Sequence, residues 1–275
     1  MRKTVPKLLA SAGLTLLALS AHADFLPNVA NLDFTSYSGS TPKDYFTSVN
    51  PTGWVGGGGL IFIDAPGTAD NGSYLSVYSP FPSSAPTGGN FVEADGNPDY
   101  EGSFSQTITG LTPGTTYTLS FYQAGSQQTG FANGLPTTEQ WIVSLGSSAL
   151  SLCRNCGAVD PLYGQTSTYY NTDPNASIAA SPLMTTPSGG VTPWQYVSVT
   201  LTADAPTELL SFLAWGDNGS TINLPPIVFL SGVNSVNVLP AVPEPSTWAL
   251  IGLGLLILVA RKRKQRQFGG DAWSA

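Results

Sequence analysis

Acidic and amide side chains recur at every second position in one stretch of this sequence, and such oxygen-bearing side chains are the ligands that hard cations take. The residues are Glu93, Asp95, Asn97, Asp99 and Glu101. Calcium binds several oxygen ligands, which a loop containing glycine can supply. Pro98 makes the run unlike an EF-hand loop. Two interpretations stand: a Ca²⁺ site, the one cofactor the sequence suggests, or a solvated acidic connection between strands, which the sequence favours.

A second pattern is the pair Cys153 and Cys156, separated by two residues. A redox motif of this spacing needs a helix N-terminus to lower the pKa of a thiol. Gly157 and Pro161 follow and disfavour a helix. In an exported protein the pair is better interpreted as a local structural disulfide, which is the prediction made for it.

Tryptophans are the third group of candidate functional residues, because sugars stack on aromatic faces when polar groups lie nearby. Trp54 precedes a run of glycines, and Trp215 precedes Asp217 and Asn218. These four residues are the predicted glycan contacts. The two other central tryptophans, Trp141 and Trp194, fall in predicted strands, where core packing is expected instead.

Several catalytic chemistries are missing from the sequence. The single histidine is His22, in a segment expected to be cleaved off, so neither a Ser-His-Asp triad nor a His-ligated zinc is available to the mature chain. A glycosidase needs two facing carboxylates, and no motif singles out such a pair. We therefore expect a protein that is not an enzyme, with a secreted glycoside hydrolase as the less favoured alternative.

The N-terminal 23 residues have the three parts of a secretory signal peptide. Arg2, Lys3 and Lys7 are basic, Leu8–Leu19 is apolar, and residues 21–23 form an A-x-A cleavage site. We predict a signal peptide over residues 1–23 and a mature chain that begins at Asp24.

Charge is distributed unevenly along the chain. Of the 10 Lys+Arg only Lys43 and Arg154 lie within residues 24–241, against fifteen of the 17 Asp+Glu, so this segment carries a charge near −13 (15 against 2). Nucleic acid binding is excluded, since phosphate contacts need a basic face. An acidic polymer would be repelled as well, so the expected ligand class is a neutral or cation-bridged polysaccharide.

Short alternating strands separated by turns fill residues 24–241. Ser103–Thr109 and Thr115–Tyr122 alternate around the turn at residues 110–114, which predicts an antiparallel hairpin with one buried face. Eight or nine strands of this kind, with no helical periodicity, predict an all-β fold, most simply a jelly-roll β-sandwich.

The C-terminal segment, residues 242–266, combines three physical blocks. They are the stiff tripeptide Pro243-Glu244-Pro245, the apolar run Thr247–Ala260 and a basic cluster at residues 261–266. An apolar helix followed by Lys and Arg is a stop-transfer arrangement. At 14 residues the run is short for a span, which usually takes about 20. Residues 267–275 extend beyond these blocks and have no explanation.

This tail resembles the PEP-CTERM sorting signal, also catalogued as the ice-binding-protein C-terminal motif. The resemblance implies export by an exopolysaccharide-producing bacterium. It also implies a transient C-terminal membrane anchor and cleavage by an exosortase-type membrane protease. The mature protein would then be released or attached at the cell surface or in the extracellular matrix. An ice-binding activity has little support, because that name belongs to the tail.

The body between Asn90 and Val238 resembles the galactose-binding-like jelly-roll modules found ahead of such tails. The resemblance is carried by residues 90–96, 105–121, 138–141 and 211–214. It implies the fold and, more weakly, glycan binding. Ser231 stands where related last strands carry an aspartate, which weakens a calcium contact there. The sequence thus predicts an exported surface or matrix protein that binds glycan, with a purely structural matrix protein as the alternative.

Overall fold

The computed structural model describes residues 24–70, 75–82, 84–131, 134–153, 168–217 and 225–236. All of them fall within one of the two units into which the chain divides, Met1–Val236. Within these residues the regular elements are β-strands, apart from one four-residue helix, α1, at Phe46–Val49. Within the described ranges, no helix is long and apolar enough to cross a membrane.

Fourteen strands are present in the described residues. In chain order they are β1 Asp44–Tyr45, β2 Val55–Gly58, β3 Ile61–Asp64, β4 Phe91–Asp95, β5 Ser103–Thr109, β6 Thr116–Gln127, β7 Thr137–Gly146, β8 Leu150–Cys153, β9 Thr168–Asn171, β10 Ser177–Ala180, β11 Met184–Thr186, β12 Gln195–Thr202, β13 Thr207–Asp217 and β14 Pro226–Ser231.

The strands form two large antiparallel sheets and one small one. Sheet I has the order β1-β3-β4-β14-β6-β12, and sheet II has the order β10-β7-β13-β5-β2, with β11 also paired to β7. Strands β8 and β9 make a separate two-stranded hairpin. Eight strands, from β4 to β14 without β8, β9 and β11, form the central frame. If these eight strands are numbered one to eight along the chain, sheet I has the order 1-8-3-6 and sheet II has the order 2-7-4-5.

This strand order is that of a jelly roll, in which successive strands alternate between two packed sheets. The predicted fold class is therefore confirmed. Apolar side chains from the inner faces of both sheets meet in one core cluster. Sheet I contributes Leu119, Phe121 and Leu230, and sheet II contributes Phe104 and Phe212 among others. The stacked rings of Phe104 and Phe212 lie 4.9 Å apart between the paired strands β5 and β13.

The hairpin predicted for residues 103–122 is wrong in its pairing, although both of its strands exist. Strand β5 pairs with β13 and β2 in sheet II, whereas β6 pairs with β12 and β14 in sheet I. The turn at residues 110–114 therefore carries the chain from one sheet to the other. Alternation shows which side chains are buried, but it cannot show which strand is the partner, because both arrangements bury the same face.

Candidate functional site

Trp54, one of the predicted glycan contacts, lies in the core. It is 3% exposed, and its ring packs against Phe34 and Phe104 at centroid distances of 5.5 and 5.2 Å. Its indole Nε1 donates hydrogen bonds to the carbonyls of Ala30 and Asn31, at 3.1 and 3.2 Å. The structure thus contradicts the prediction for Trp54. Residues in a turn do not alternate between two faces, so the sequence does not show where the side chain of Trp54 points. The N-terminal segment, residues 24–53, covers its ring.

Trp215 lies on the opposite, outer face of sheet II and remains partly exposed. The ring of Tyr169, in β9, meets it edge-on at a centroid distance of 5.5 Å. Beneath them, Ile142, Leu150 and Leu213 form a small apolar cluster against which both aromatic rings pack. The β8–β9 hairpin therefore rests on sheet II and holds an aromatic pair at the surface.

The strand register brings a polar residue to this aromatic pair. Gln140 lies directly across from Trp215 in the pairing of β13 with β7, and it is partly exposed. Asp217 ends β13 and pairs with Thr138, but its side chain lies outside the described structure, as does all of Asn218. The sequence offered Tyr169 only as one more aromatic residue and did not assign it or Gln140 to a glycan contact, because only the hairpin packing and the strand register bring them to Trp215.

The acidic run does not form one cluster of ligands. Asp95 Oδ1 accepts a hydrogen bond of 2.7 Å from the amide of Asn97, and Asn97 Oδ1 accepts one of 2.9 Å from the amide of Asp99. These are two successive Asx turns, which shape the β4–β5 connection. Burial raises the pKa of Asp95 to about 7, and the nearby Glu101 charge contributes.

Glu93 is engaged elsewhere. Its Oε2 accepts a hydrogen bond of 2.9 Å from Lys43 Nζ, which also lies 3.3 Å from Asp64 Oδ2. Among the residues that the structure describes, no three His, Cys, Asp or Glu side chains are placed to hold a metal ion. The five-residue calcium site is thus contradicted. The cation that faces Glu93 is the ammonium of Lys43, the residue just before β1 and 50 positions away in the chain.

A further acidic residue, Glu139, is buried between the sheets. It lies on the inner face of β7 and accepts a hydrogen bond from Thr186 Oγ1. Burial raises the pKa of Glu139 to about 8, against the effect of hydrogen bonds from Thr186 and Thr137. Gly125 makes room for it, since a Cβ there would fall 2.0 Å from Glu139 Oε1. This carboxyl group is enclosed by protein and serves the packing of the sandwich.

The remaining predicted sites lie outside the described residues. Cys153 ends β8, but its side chain is not described and neither is Cys156, so their disulfide stays a prediction. The same holds for the signal peptide, the apolar run of the tail and the sorting tripeptide at residues 243–245.

Three of the solved structures with some similarity to this chain are an enzymatically active domain, an enzyme and a carbohydrate-binding module. They are the enzymatically active domain of tailspike protein 4 of bacteriophage CBA120 (12% identity, TM-score 0.29), an endo-1,4-β-D-xylanase of Clostridium thermocellum complexed with xylohexaose (12%, 0.31), and a carbohydrate-binding module specific for non-crystalline cellulose (9%, 0.29). The matches cover 71%, 72% and 72% of this chain, and 21%, 27% and 95% of the others. The chain thus spans about a quarter or less of the first two proteins. At these TM-scores the fold assignment rests on the strand order alone.

No curated protein matches the sequence. Residues 241–264 match the PEP-CTERM protein-sorting motif, in agreement with the tail predicted at residues 242–266. The motif implies export, a C-terminal membrane anchor before cleavage, and processing by an exosortase-type system. The chain carries a PEP-CTERM sorting motif behind a jelly-roll body.

Proposed function

We propose that this protein is a non-enzymatic, glycan-binding protein of the cell surface or extracellular matrix. An exosortase-type protease sorts it in a bacterium that makes exopolysaccharide. The outer face of sheet II around Trp215 is the binding surface. The observation that carries the proposal is the partly exposed Trp215 ring, held edge-on by Tyr169 beside Gln140.

This arrangement has the chemistry that a sugar needs. An aromatic face takes the apolar C–H side of a pyranose ring, and a carboxamide can both donate to and accept from its hydroxyls. Because Trp215 and Tyr169 are packed on Ile142, Leu150 and Leu213, their orientation is set before a ligand arrives. Preorganisation of this kind lowers the entropic cost of binding.

Charge favours a neutral polysaccharide over an acidic one. Residues 24–241 carry 15 acidic and 2 basic residues, and within the described structure the one cation, Lys43, is already paired with Asp64 and Glu93. An acidic polymer would meet net repulsion that grows as the salt concentration falls. A neutral chain needs no compensating charge.

A glycan array with the exported protein, in the presence and absence of calcium, tests the proposal. We expect binding to neutral polysaccharides that is independent of calcium and is weakened in Trp215→Ala. Tyr37→Ala is the matched control, since Tyr37 is an exposed aromatic residue of the N-terminal segment and should not affect binding. If no glycan binds under any condition, the protein is a structural matrix component.

Sorting is tested separately, by the intact mass of the exported protein. We expect a species that begins at Asp24 and has lost the apolar run at residues 247–260. A species that retains this run would mean that the tail is an ordinary membrane anchor.

A further inference from the structure

The side chains of one lysine and two acidic residues lie in contact on the outer face of sheet I, where they are largely buried. Lys43 Nζ is 2.9 Å from Glu93 Oε2 and 3.3 Å from Asp64 Oδ2. Both acidic side chains are 0% exposed, and that of Lys43 is 12% exposed. Contact of an amine with two carboxyl groups is the arrangement that a condensation between them needs, because groups held in place do not have to meet by diffusion.

The strand register is what brings these three residues together. Strand β1 pairs with β3 through Asp44↔Ile63 and Tyr45↔Phe62, and continuing that register by one residue places Lys43 opposite Asp64. On the other side of β3, Glu93 pairs with Phe62. Asp64 and Glu93 thus point to the same face of two neighbouring strands, because they lie an even number of residues from that pair.

The surroundings of the cluster are apolar and enclosed. The ring of Phe62, which is directly opposite Glu93 and two residues before Asp64 in β3, lies 4.6 Å from the ring of Tyr45. When both acids are ionised, Asp64 Oδ1 and Glu93 Oε1 have no hydrogen-bond donor in the part of the chain that the structure describes, whereas a protonated Glu93 can share its proton with Asp64. A buried ion pair recovers its desolvation energy only when its remaining oxygens are also satisfied, and in the ionised state two are not. Converting the pair into a neutral amide would remove two buried charges.

We propose that Lys43 and Asp64 join through an intramolecular amide bond between Nζ and Cγ, with Glu93 as the proton-transfer group. The product is a covalent crosslink between the β1 region and β3. Such a bond would tie the N-terminal segment to sheet I in a protein that works outside the cell.

The reaction balances as a condensation. Lys43 first passes a proton to the Asp64 carboxylate, which leaves a neutral amine and a carboxylic acid. The nitrogen lone pair then forms the N–Cγ bond, while Glu93 gives its proton to the carbonyl oxygen and takes one from the nitrogen. Next the Cγ–O bond to one hydroxyl breaks. Glu93 protonates that hydroxyl as it leaves as water, and the remaining hydroxyl returns a proton to Glu93. No oxidant, metal or cofactor is needed.

Burial changes the pKa values of the groups that exchange protons in this reaction. It raises the pKa of Glu93 well above its ordinary value, and the Asp64 charge raises it further. Glu93 therefore holds its proton more strongly than an exposed carboxyl group does, which suits a group that acts first as an acid and then as a base. Burial likewise raises the pKa of Asp64, against the opposing charge of Lys43. Burial lowers the pKa of Lys43, but the charges of Glu93 and Asp64 outweigh burial and raise it overall. The ammonium therefore has to pass its proton to a carboxylate within the cluster, and that transfer neutralises both groups in a site where charges are disfavoured.

Peptide mapping of the exported full-length protein tests the bond. Lys43 and Arg154 are the only basic residues between residues 24 and 241, so trypsin should release the peptide 44–154 from the denatured protein if Lys43 is free. We expect that peptide to be absent. In its place a peptide that runs through Lys43 to Arg154 should appear, lighter by one water, with fragmentation placing the link between Lys43 and Asp64. A released 44–154 peptide of full mass would overturn the proposal.

Variants separate chemistry from structure. Glu93→Gln keeps the shape of the side chain but removes its acidic proton, so we expect trypsin to release the free 44–154 peptide from this variant. Its near-ultraviolet circular dichroism should equal that of the wild type, which shows that the fold is retained. Glu139→Gln, the matched control at another buried carboxyl, should leave the crosslink intact. In Asp64→Asn the same attack would release ammonia instead of water and give a product of the same mass as the wild type. A crosslink that forms fully in Glu93→Gln would overturn the role of Glu93.

Discussion

Trp54 and Trp215 lie on opposite faces of the same β-sheet. Trp54 is in the core beside the inner face of sheet II, 6.1 Å from Phe212 of β13 between ring centroids. Trp215 is three residues further along that strand and packs on its outer face with Tyr169. Both were expected at a glycan surface because each adjoins a loop rich in small or polar residues. Their neighbours, and not their place in the sequence, give one a structural role and the other a surface.

The comparison shows where the alternation of a strand is informative. Within β13, Phe212 and Ala214 point inward, so Trp215 must point outward. Trp54 precedes β2 and lies in a turn closed by a hydrogen bond from its own amide to the carbonyl of Pro51. Side chains in a turn do not alternate between two faces, so packing against the N-terminal segment determines where the side chain of Trp54 points.

The largest expected effect is on stability at the buried member of the pair. Trp54→Ala should lower the free energy of unfolding by about 3–5 kcal/mol, because it leaves a large cavity in an aromatic cluster. Urea denaturation followed by tryptophan fluorescence measures this change. Trp215→Ala is the comparison variant, with an expected loss of about 1–2 kcal/mol for a partly exposed ring. Equal losses in the two variants would contradict the difference in burial.

A second effect concerns pH and the buried carboxyl groups. Because the pKa of Glu139 is raised from 4.5 to about 8 in the folded state, the folded protein binds more protons than the unfolded chain between those values. The free energy of unfolding should therefore fall as pH rises through this window, by up to about 1.4 kcal/mol per pH unit, and level off above it. Asp95, with its pKa raised to about 7, acts in the same direction.

Chemical denaturation at several pH values across that window measures this slope. Glu139→Gln should remove part of it and make the protein more stable at the alkaline end. Asp173→Asn is the control, since Asp173 is partly exposed and its pKa is lowered by hydrogen bonds from the Ser147 and Asn175 amides. A stability that rises between the two pKa values would contradict the burial of Glu139.

The exposed member of the pair should matter for binding. Trp215→Ala is expected to weaken glycan binding by about 1–3 kcal/mol, the range for an anchoring side chain at an interface. Trp215→Phe should lose less, because it keeps an aromatic face. Isothermal titration with the polysaccharide that the array identifies measures both. Unchanged binding in Trp215→Ala would move the site away from sheet II.

The smallest expected effect is at Gln140. Removing its carboxamide in Gln140→Ala should cost about 0.5–1.5 kcal/mol of binding, as for one hydrogen bond, with little change in stability at a partly exposed position. The same titration measures it. A gain in affinity would show that Gln140 lies outside the sugar contact.

Much of the fold was accessible from the sequence. The alternating patterns of β5, β6 and β12 identified strands and their buried faces, since the period of two follows from the pleat itself. Strand pairing was not accessible, as the mistaken hairpin of β5 and β6 shows, because burying a face does not name the partner. For the candidate site, Trp215 was assigned from its neighbours in sequence, whereas neither Tyr169 nor Gln140 was assigned to it.

The sequence by itself determined the sorting motif at residues 241–264 and the all-β class, because both are local: one is a linear order of blocks, and the other follows from alternation within short segments. Only the tertiary structure decided that Trp54 is core, that Glu93 faces Lys43 instead of a calcium ion, and that Lys43, Asp64 and Glu93 meet. Those contacts join residues 21 and 50 positions apart. They depend on sheet register, which is set by the packing of the whole sandwich and leaves no local trace in the chain.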